Sequence, residues 1–440
     1  MRKPIYDMGI FQARRKILGQ KTKGSAVIVA SNPELIRNND VHYPYRQDSN
    51  FFYLTGFEEP NSVLVFRAGQ TPETVLFVQP KNPSMETWTG FRYGVDGAKN
   101  NFQIDATYST DQLETELPKL LMDIDKVYYS LFINREFDKT LLKITEELAL
   151  KKSRSNKGNF TIEDTRVLLG EMRLKKSAFE IEQIKKACEI SCEAHIDVMK
   201  AIRPGMNERA LHGVFIKGIM ERGCNREGYG SILATGSNAT TLHYVYNDQV
   251  CRDGELLLID AGGEFNYFTA DITRVYPVNG KFNDTQKRVY QKMLTLQKDL
   301  VAQVKPGQTR EGLQKMAISA LTDILLDEKL LKGKREELIE KKEYFKFYPH
   351  GIGHWLGLDV HDAGTTEVNG EPRHLEAGMV LTIEPGLYIP EDLPGIPEEY
   401  LGIGIRIEDD ILVTDAGYEN MTEKCPKEVS DLEAIIGKQA

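Results

Sequence analysis

The chain has 440 residues, 41% hydrophobic and 28% charged, which suffices for two packed domains and argues against disorder. Its net charge of -9 argues against a nucleic-acid partner, because phosphate binding needs a basic surface. No stretch approaches the roughly 18 apolar residues of a membrane span, and the amino-terminal segment lacks an apolar export core. The five cysteines are scattered and odd in number, which favours reduced thiols. We therefore expect a soluble cytoplasmic protein with no membrane partner.

Residues 1–174 predict an α/β domain. Short apolar runs alternate there with helical stretches such as DQLETELPKLLMDI. The runs that predict buried strands are SAVIVA, SVLVFRA, TVLFVQ and KVYYSLF. This alternation indicates a mixed sheet with helices packed against it.

Residues 175–440 predict a second domain built from two similar halves. Ser177 and Glu180 form a capping box that opens a long helix. Further on, AIRPGMNERAL at 201–211 aligns with QVKPGQTREGL at 303–313, and each copy joins two predicted helices. Strands with acidic side chains follow each copy. We therefore expect an α+β fold with internal pseudo-two-fold symmetry and a site at the junction of the halves.

Five apolar or glycine-bounded segments of this domain each place a metal-binding side chain where a hydrophobic residue would be expected. The segments are ELLLIDAGG, FTADITR, PHGIGHWLG, VLTIEPG and GIRIEDD, and the side chains are Asp260, Asp271, His354, Glu384 and Glu408. Taken singly, each would be an ordinary turn, cap or polar residue. Burying four carboxylates together is too costly unless cations cancel their charge, and two divalent ions match the number. The set predicts a dinuclear metallohydrolase.

Strand alternation predicts part of the geometry. A hairpin centred between Phe265 and Asn266 would place Asp260 opposite Asp271, with Cβ atoms about 4.5 to 5.5 Å apart, which suits two metals about 3.5 to 4 Å apart. In the last of the five segments, Arg406 would share a face with Glu408, while Asp409 would point away. One imidazole with four carboxylates favours manganese, with cobalt, iron or zinc as substitutes.

At these residues the chain resembles the bacterial Xaa-Pro aminopeptidases (aminopeptidase P), part of the pita-bread group with prolidase, methionine aminopeptidase and creatinase. The matching pieces are VHYPYRQDSNFFYLTGFEEP, LHY, LLLIDAGGE, DITRVYPVNGKF, HWLGLDVHD, MVLTIEPGLYI and GIGIRIEDDILVT. The resemblance implies a C-terminal pita-bread (creatinase/aminopeptidase) fold behind the α/β domain. It also implies a hydrolase that releases the N-terminal residue from peptides with proline second, through a hydroxide bridging two manganese ions.

The resemblance further implies roles for residues around the metals. His243 and His361 would contact the substrate and the tetrahedral intermediate, and Glu384 would also carry a proton. His350 and Tyr388 would line the side that holds the proline ring. Without the family, His243 fits an ordinary strand pattern and His350 a glycine-rich loop, so their sequence context alone does not separate a catalytic from a structural role.

Three further residues complete the implied set. Arg406, with Tyr388 and Asp40, would form a supporting polar network. Trp88 matches a residue that reaches into a neighbour's active site in tetrameric relatives, so the resemblance implies a homo-oligomer, either a dimer or a tetramer.

Two alternative functions remain open at this point. Prolidase shares all five ligands but accepts only dipeptides, and the HYPYRQDSNFFYLTGF block favours the aminopeptidase. The second alternative is a catalytically silent peptide-binding module on the same fold. Such modules have lost metal ligands, whereas this chain has all five.

Overall fold

The computed structural model describes residues 4–154 and 158–438, and the chain divides into two compact units, Met1–Leu169 and Gly170–Ala440. The sequence-based boundary between residues 174 and 175 stays a prediction. No helix among the described residues is both long and apolar enough to cross a membrane.

The first unit is an α/β domain around one mixed sheet, as predicted. Its elements are α1 (Met8–Lys21), β1 (Ala26–Ala30), β2 (Ile36–Asn38), β3 (Val41–His42), α2 (Ser49–Thr55), β4 (Val63–Arg67), β5 (Thr74–Val78), α3 (Pro83–Thr89), α4 (Gly94–Phe102), β6 (Ala106–Ser109), α5 (Leu113–Leu121), β7 (Lys126–Tyr128), α6 (Arg135–Ser153) and β8 (Thr161–Glu163). The strand order is β6-β5-β4-β1-β7-β8. Strand β1 is antiparallel to β4 and parallel to β7. Leu117 and Leu121 of α5 and Leu141 of α6 pack with the buried side chains of this sheet.

The second unit begins within α7 (Thr165–Leu174), which crosses the boundary between the units. Its further elements are α8 (Ala178–Ala201), α9 (Glu208–Glu221), β9 (Arg226–Glu227), β10 (Ile232–Thr235), β11 (Leu256–Asp260), β12 (Gly263–Phe265), β13 (Phe268–Thr269), β14 (Thr273–Pro277), α10 (Asp284–Val301), α11 (Arg310–Asp327), α12 (Arg335–Glu340), β15 (Glu367–Val368), β16 (Glu371–Pro372), β17 (Val380–Ile383), β18 (Gly386–Ile389), β19 (Ile403–Arg406), β20 (Asp409–Thr414), β21 (Gly417–Asn420) and α13 (Val429–Ile435). The capping box of Ser177 and Glu180 at the start of α8 is confirmed.

The internal repeat is visible in the backbone. The turns that precede α9 and α11 hold Gly205 and Gly307 at φ values of +88° and +86°, a conformation that glycine adopts without a steric penalty. The amide of Gly205 donates to the carbonyl of Cys251 at 2.8 Å, and that of Gly307 donates to the carbonyl of Leu375 at 2.9 Å. Each half therefore ties its helix pair to its own later segment in the same way.

The sheets that follow each helix pair carry the site. In the first half the order is β10-β11-β14, and in the second β17-β20-β21, with β18 paired to β19. Strands β11 and β17 are fully buried. Their side chains join one large hydrophobic core, which holds the ends of these strands in place.

The predicted register between the first two carboxylates is wrong. Strand β11 pairs with β14 so that Asp260 faces Thr273, and the intervening hairpin turns at Asn266 and Tyr267. Both turn residues have positive φ, 50° and 77°, as a two-residue hairpin turn requires. This turn displaces the pairing by two residues relative to the prediction. Because side chains alternate with a period of two, Asp271 stays on the face of Asp260.

Candidate metal centre

The five predicted ligands come from the ends of strands and from one loop. Asp260 ends β11, Asp271 lies just before β14, Glu384 directly follows β17, and Glu408 directly precedes β20. His354 lies in the glycine-bounded loop before β17. All five side chains line one cavity of about 540 Å³. The structure therefore brings the predicted ligand set together.

Three of these residues are closest to one another. Asp271, His354 and Glu408 each present one ligand atom, and the three atoms lie within 4.8 Å of one another. Nε2 of His354 is 3.3 Å from Asp271 and 3.7 Å from Glu384. Its Nδ1 lies 3.0 Å from the carbonyl of Trp355, which orients the ring and leaves Nε2 directed at the carboxylates.

Tyr229 joins the other side of the cluster, and sequence reasoning missed it. Its hydroxyl lies 2.7 Å from Oδ1 of Asp260 and 2.6 Å from Oδ1 of Asp271. Because a phenol has one proton, it can donate to one of these carboxylates at a time. Nothing in the local sequence GYG singles out this tyrosine, since its partners lie on a distant hairpin.

Arg406 lies beside the cluster, on the side predicted for it. Its guanidinium donates to Oδ2 of Asp260 at 2.6 Å, to the hydroxyl of Tyr388 at 2.8 Å and to Oγ1 of Thr273 at 3.1 Å. Thr273 in turn donates to Glu408 at 2.6 Å. Two of the carboxylates are therefore held by one connected set of hydrogen bonds.

Asp409 points away from the cluster, as strand alternation predicted. Its carboxylate accepts hydrogen bonds from Arg274 at 2.7 Å and from Gln297 at 2.8 Å, and it also pairs with Lys427. This separate network, in which Asp409, Arg274 and Gln297 are fully buried, fixes the start of β20, directly after Glu408.

The carboxylates of the cluster destabilise one another when they are charged. Burial, together with neighbouring carboxylates, raises the pKa of Asp260 and raises that of Glu408 well above its usual value. Burial also raises the pKa of Glu384 to about 7. Burial opposes the charged form of Asp271, but His354 outweighs it and lowers that pKa, while the same contact raises the pKa of His354 to about 9. Carboxylates that repel one another in this way form a hard, oxygen-rich ligand set, which is suited to binding divalent cations.

The other predicted histidines lie around the same cavity. The ring of His361 is 4.4 Å from that of His354, and burial and this neighbour lower its pKa. His243 is exposed and lies in a turn, not in the predicted strand. His350 contacts the hydroxyl of Tyr388 at 2.8 Å, and burial lowers its pKa to about 4, so the imidazole is neutral at pH 7.

The two remaining predicted residues belong to the first unit. Asp40 lies in the exposed turn between β2 and β3, and Trp88 lies in α3 with 85% of its surface exposed. Their roles in the polar network and in an oligomer stay predictions.

Comparison with known proteins agrees with this geometry. The profile of metallopeptidase family M24 matches residues 182–415, and that of the aminopeptidase P N-terminal domain matches residues 11–128. An Xaa-Pro aminopeptidase of Haemophilus influenzae is 40% identical over 97% of this chain and 96% of its own length.

Solved structures show the same similarity. An aminopeptidase of Pseudomonas aeruginosa superposes with a TM-score of 0.94 at 38% identity, covering 99% of this chain and 98% of that one. Zinc-substituted Escherichia coli aminopeptidase P in complex with product gives a TM-score of 0.93 at 38% identity, with 98% of both chains covered. The predicted pita-bread fold and the predicted family are confirmed, and the cluster is a divalent-metal site. The chain thus belongs to metallopeptidase family M24 and, within it, to the aminopeptidase P group.

Proposed function

We propose that this protein is an aminopeptidase that releases the N-terminal residue from peptides whose second residue is proline. The observation that carries the proposal is the meeting of four carboxylates and an imidazole in one cavity that three further histidines also line. The full-length similarity to Xaa-Pro aminopeptidases supports the same activity.

Two divalent ions per chain are the proposed cofactors, held by Asp260, Asp271, His354, Glu384 and Glu408. Manganese is the proposed metal, with cobalt, iron and zinc as possible substitutes, because the donor set is mostly carboxylate oxygen. When bound, such ions polarise the carbonyl of the scissile bond and lower the pKa of water toward neutrality.

Glu384 is the proposed proton carrier. The nitrogen of an Xaa-Pro bond belongs to a tertiary amide without a hydrogen, so it must gain a proton before it can leave. Glu384 lines the cavity beside the other proposed ligands, so we assign its carboxylate to pass this proton to the nitrogen.

The substrate would lie between the histidines. We assign His243 and His361 to the carbonyl being attacked, and His350 with Tyr388 to the proline ring. Arg406 donates to Tyr388 and to Asp260, and so connects the proposed proline wall to a proposed metal ligand. We assign Arg406 the role of holding this arrangement in place.

The proposal also covers the partners, location and assembly of the enzyme. Its partners would be peptide substrates, and it would be located in the cytoplasm. It would form a dimer or a tetramer to which Trp88 contributes. Sedimentation velocity on the wild-type protein and a Trp88→Ala variant would measure that assembly.

Peptide assays test the activity. With manganese, the purified protein should release alanine from Ala-Pro-Ala but not from N-acetyl-Ala-Pro-Ala, because carboxylates beside the metals would bind a free amine. Cleavage should stop in a chelator. Equal cleavage of Ala-Ala-Ala would contradict proline specificity, strict preference for the dipeptide Ala-Pro would indicate prolidase, and binding without cleavage would indicate the silent module.

Metal analysis tests the ligand assignment separately. Glu408→Gln and Asp271→Ala should each lose at least one metal per chain and all turnover while the circular-dichroism spectrum is retained. Glu376→Gln is a matched control, since this exposed glutamate pairs with Lys175 and does not line the cavity. Two metals and normal rates in both ligand variants would refute the assignment.

A further inference from the structure

Arg310 is a cation in the cavity whose hydrogen-bonding capacity is largely unused. It lines the same cavity as the metal cluster and donates to the carbonyl of Gly353. Its guanidinium carbon lies 5.4 Å from the centre of the Trp355 ring. Its Nε is buried without a hydrogen-bond partner, and no carboxylate of the described residues forms an ion pair with it. A guanidinium has five N–H donors, so most of them remain available.

This situation differs from that of other buried arginines in the same unit. Each of those meets a carboxylate: Arg173 meets Asp362, Arg274 meets Asp409, and Arg406 meets Asp260. Burial without an ion-pair partner is unfavourable for a charge, and burial lowers the pKa of Arg310 although the charge of Glu384 opposes this shift. An anion that enters the cavity would relieve this cost.

The place of Arg310 in its helix is unfavourable as well. It is the first residue of α11, where the partial positive charge of the helix N-terminus repels a cation. In the internal repeat its counterpart is Glu208, the first residue of α9. That carboxylate accepts hydrogen bonds from the amides of Thr235 and Gln249 and from the hydroxyl of Tyr244, at 2.7 to 2.9 Å. A cation at a helix N-terminus that forms no ion pair with the described carboxylates departs from the local rule, and such departures are expected at functional sites.

The position of Arg310 indicates which part of a substrate it would meet. Helix α11 supports the loop that carries His350, since Gln314 donates to the carbonyl of His350 at 3.4 Å and Arg310 donates to Gly353. His350 is on the wall assigned above to the proline ring. We therefore take the side of the cavity lined by Arg310 to be the side of the leaving peptide, and the anions of a peptide are carboxylates.

We propose that Arg310 recognises a carboxylate on the leaving peptide, either the C-terminus of a tripeptide or an acidic side chain after the proline. The proposal rests on the proposed function, because the proline wall sets the direction of the substrate. A planar guanidinium with free donors matches a carboxylate, which can accept two parallel hydrogen bonds.

Paired substrates test this inference. The ratio of kcat/KM for Ala-Pro-Ala to that for Ala-Pro-Ala-NH2 measures the preference for a terminal carboxylate. The corresponding ratio for Ala-Pro-Glu-NH2 and Ala-Pro-Gln-NH2 measures the preference for an acidic side chain after the proline. In at least one pair the wild type should favour the acid by about tenfold or more, as expected of a charge-assisted hydrogen bond. Arg310→Gln should remove that preference by lowering the rate on the acid alone, and Arg310→Lys should keep part of it.

Lys315→Gln is the matched control, because it removes an exposed cation from the same helix outside the cavity. It should leave both ratios unchanged. Equal losses on acid and amide in Arg310→Gln, or no acid preference in either pair of the wild type, would overturn the inference. Cleavage of Ala-Pro-Ala-NH2 by the wild type would still support the proposed function in that case.

A binding measurement separates the two proposals further. Calorimetric titration of the manganese-loaded protein with Pro-Ala and Pro-Ala-NH2, and with Pro-Glu-NH2 and Pro-Gln-NH2, does not require turnover. If the wild type binds the acid more tightly than the amide and Arg310→Gln does not, the result supports recognition of a carboxylate by Arg310 even if no peptide is cleaved. Equal affinities for acid and amide in both pairs would refute it.

Discussion

Arg406 donates a hydrogen bond from Nη2 to Oδ2 of Asp260 at 2.6 Å, and the two side chains are only 5% and 12% exposed. The pair places a fixed positive charge against a proposed metal ligand, inside a group of carboxylates that repel one another. Removal of one partner of such a pair leaves an uncompensated buried charge.

Arg406→Met should therefore destabilise the metal-free protein by about 3 to 5 kcal/mol, and Arg406→Lys should do so less. Manganese should recover part of the loss, because bound cations would supply the missing charge. Urea unfolding with and without a chelator measures both quantities. An equal loss in the two conditions would mean that the arginine acts through packing and not through charge.

Tyr229→Phe removes the hydroxyl that lies against both Asp260 and Asp271. We expect metal affinity to fall about 10- to 100-fold, as is typical when a hydrogen bond to a ligand is lost. Competition with a chromophoric chelator measures the affinity. Tyr246→Phe is the control, since Tyr246 is 74% exposed and outside the cavity. Unchanged affinity in Tyr229→Phe would show that the aspartates need no such support.

His361→Ala should keep its metals and lose about 10²- to 10⁴-fold in kcat, the range for a lost proton-transfer or polar contact to the reacting group. We expect this because the ring of His361 lies beside that of His354, while His361 does not belong to the group of three residues whose ligand atoms lie within 4.8 Å of one another. His212→Ala is the control, because His212 pairs with Glu227 outside the cavity. Loss of metal in step with activity would make His361 a ligand.

The stability of the metal-free protein should fall as pH rises above about 6.5; below that pH the lowered pKa of His350 acts in the opposite direction. The pKa of Glu384 is raised from 4.5 to about 7, so its stabilising contribution is complete below about pH 4.5 and is lost as pH rises through 7. The pKa of His354 is raised from 6.5 to about 9, so its contribution is complete below about pH 6.5 and is lost through pH 9. Both effects therefore act in the same direction.

Unfolding in a chelator between pH 6.5 and pH 9 measures this dependence. In Glu384→Gln, the free energy of unfolding should depend less on pH near pH 7. Saturating manganese should remove the decline, because metal binds the ionised carboxylates and the neutral imidazole. Stability that rises with pH across this window in the metal-free protein would contradict the assignment of these titrations.

Much of this protein follows from local sequence. Apolar runs of strand length predicted β1, β4 and β5, because a strand buried on both faces needs hydrophobic side chains at every position. An apolar run also predicted β7, of which only the middle residue is buried. The capping box before α8 is equally local, since both partners lie within one helical turn. The five candidate ligands could be found because ionisable side chains interrupt apolar segments, where burial without a partner is costly.

Other features depend on contacts between distant segments. The pairing of Asp260 with Thr273 depends on the left-handed turn at Asn266 and Tyr267, and the sequence did not reveal which residues would turn. The position of Tyr229 against two carboxylates depends on the packing of its loop over that hairpin. That no carboxylate of the described residues pairs with Arg310 appears only when the neighbouring carboxylates have been placed. Sequence determined which chemical groups the protein has, whereas the tertiary structure decided their pairings, because hydrogen bonds and ion pairs depend on distances that the order of residues does not fix.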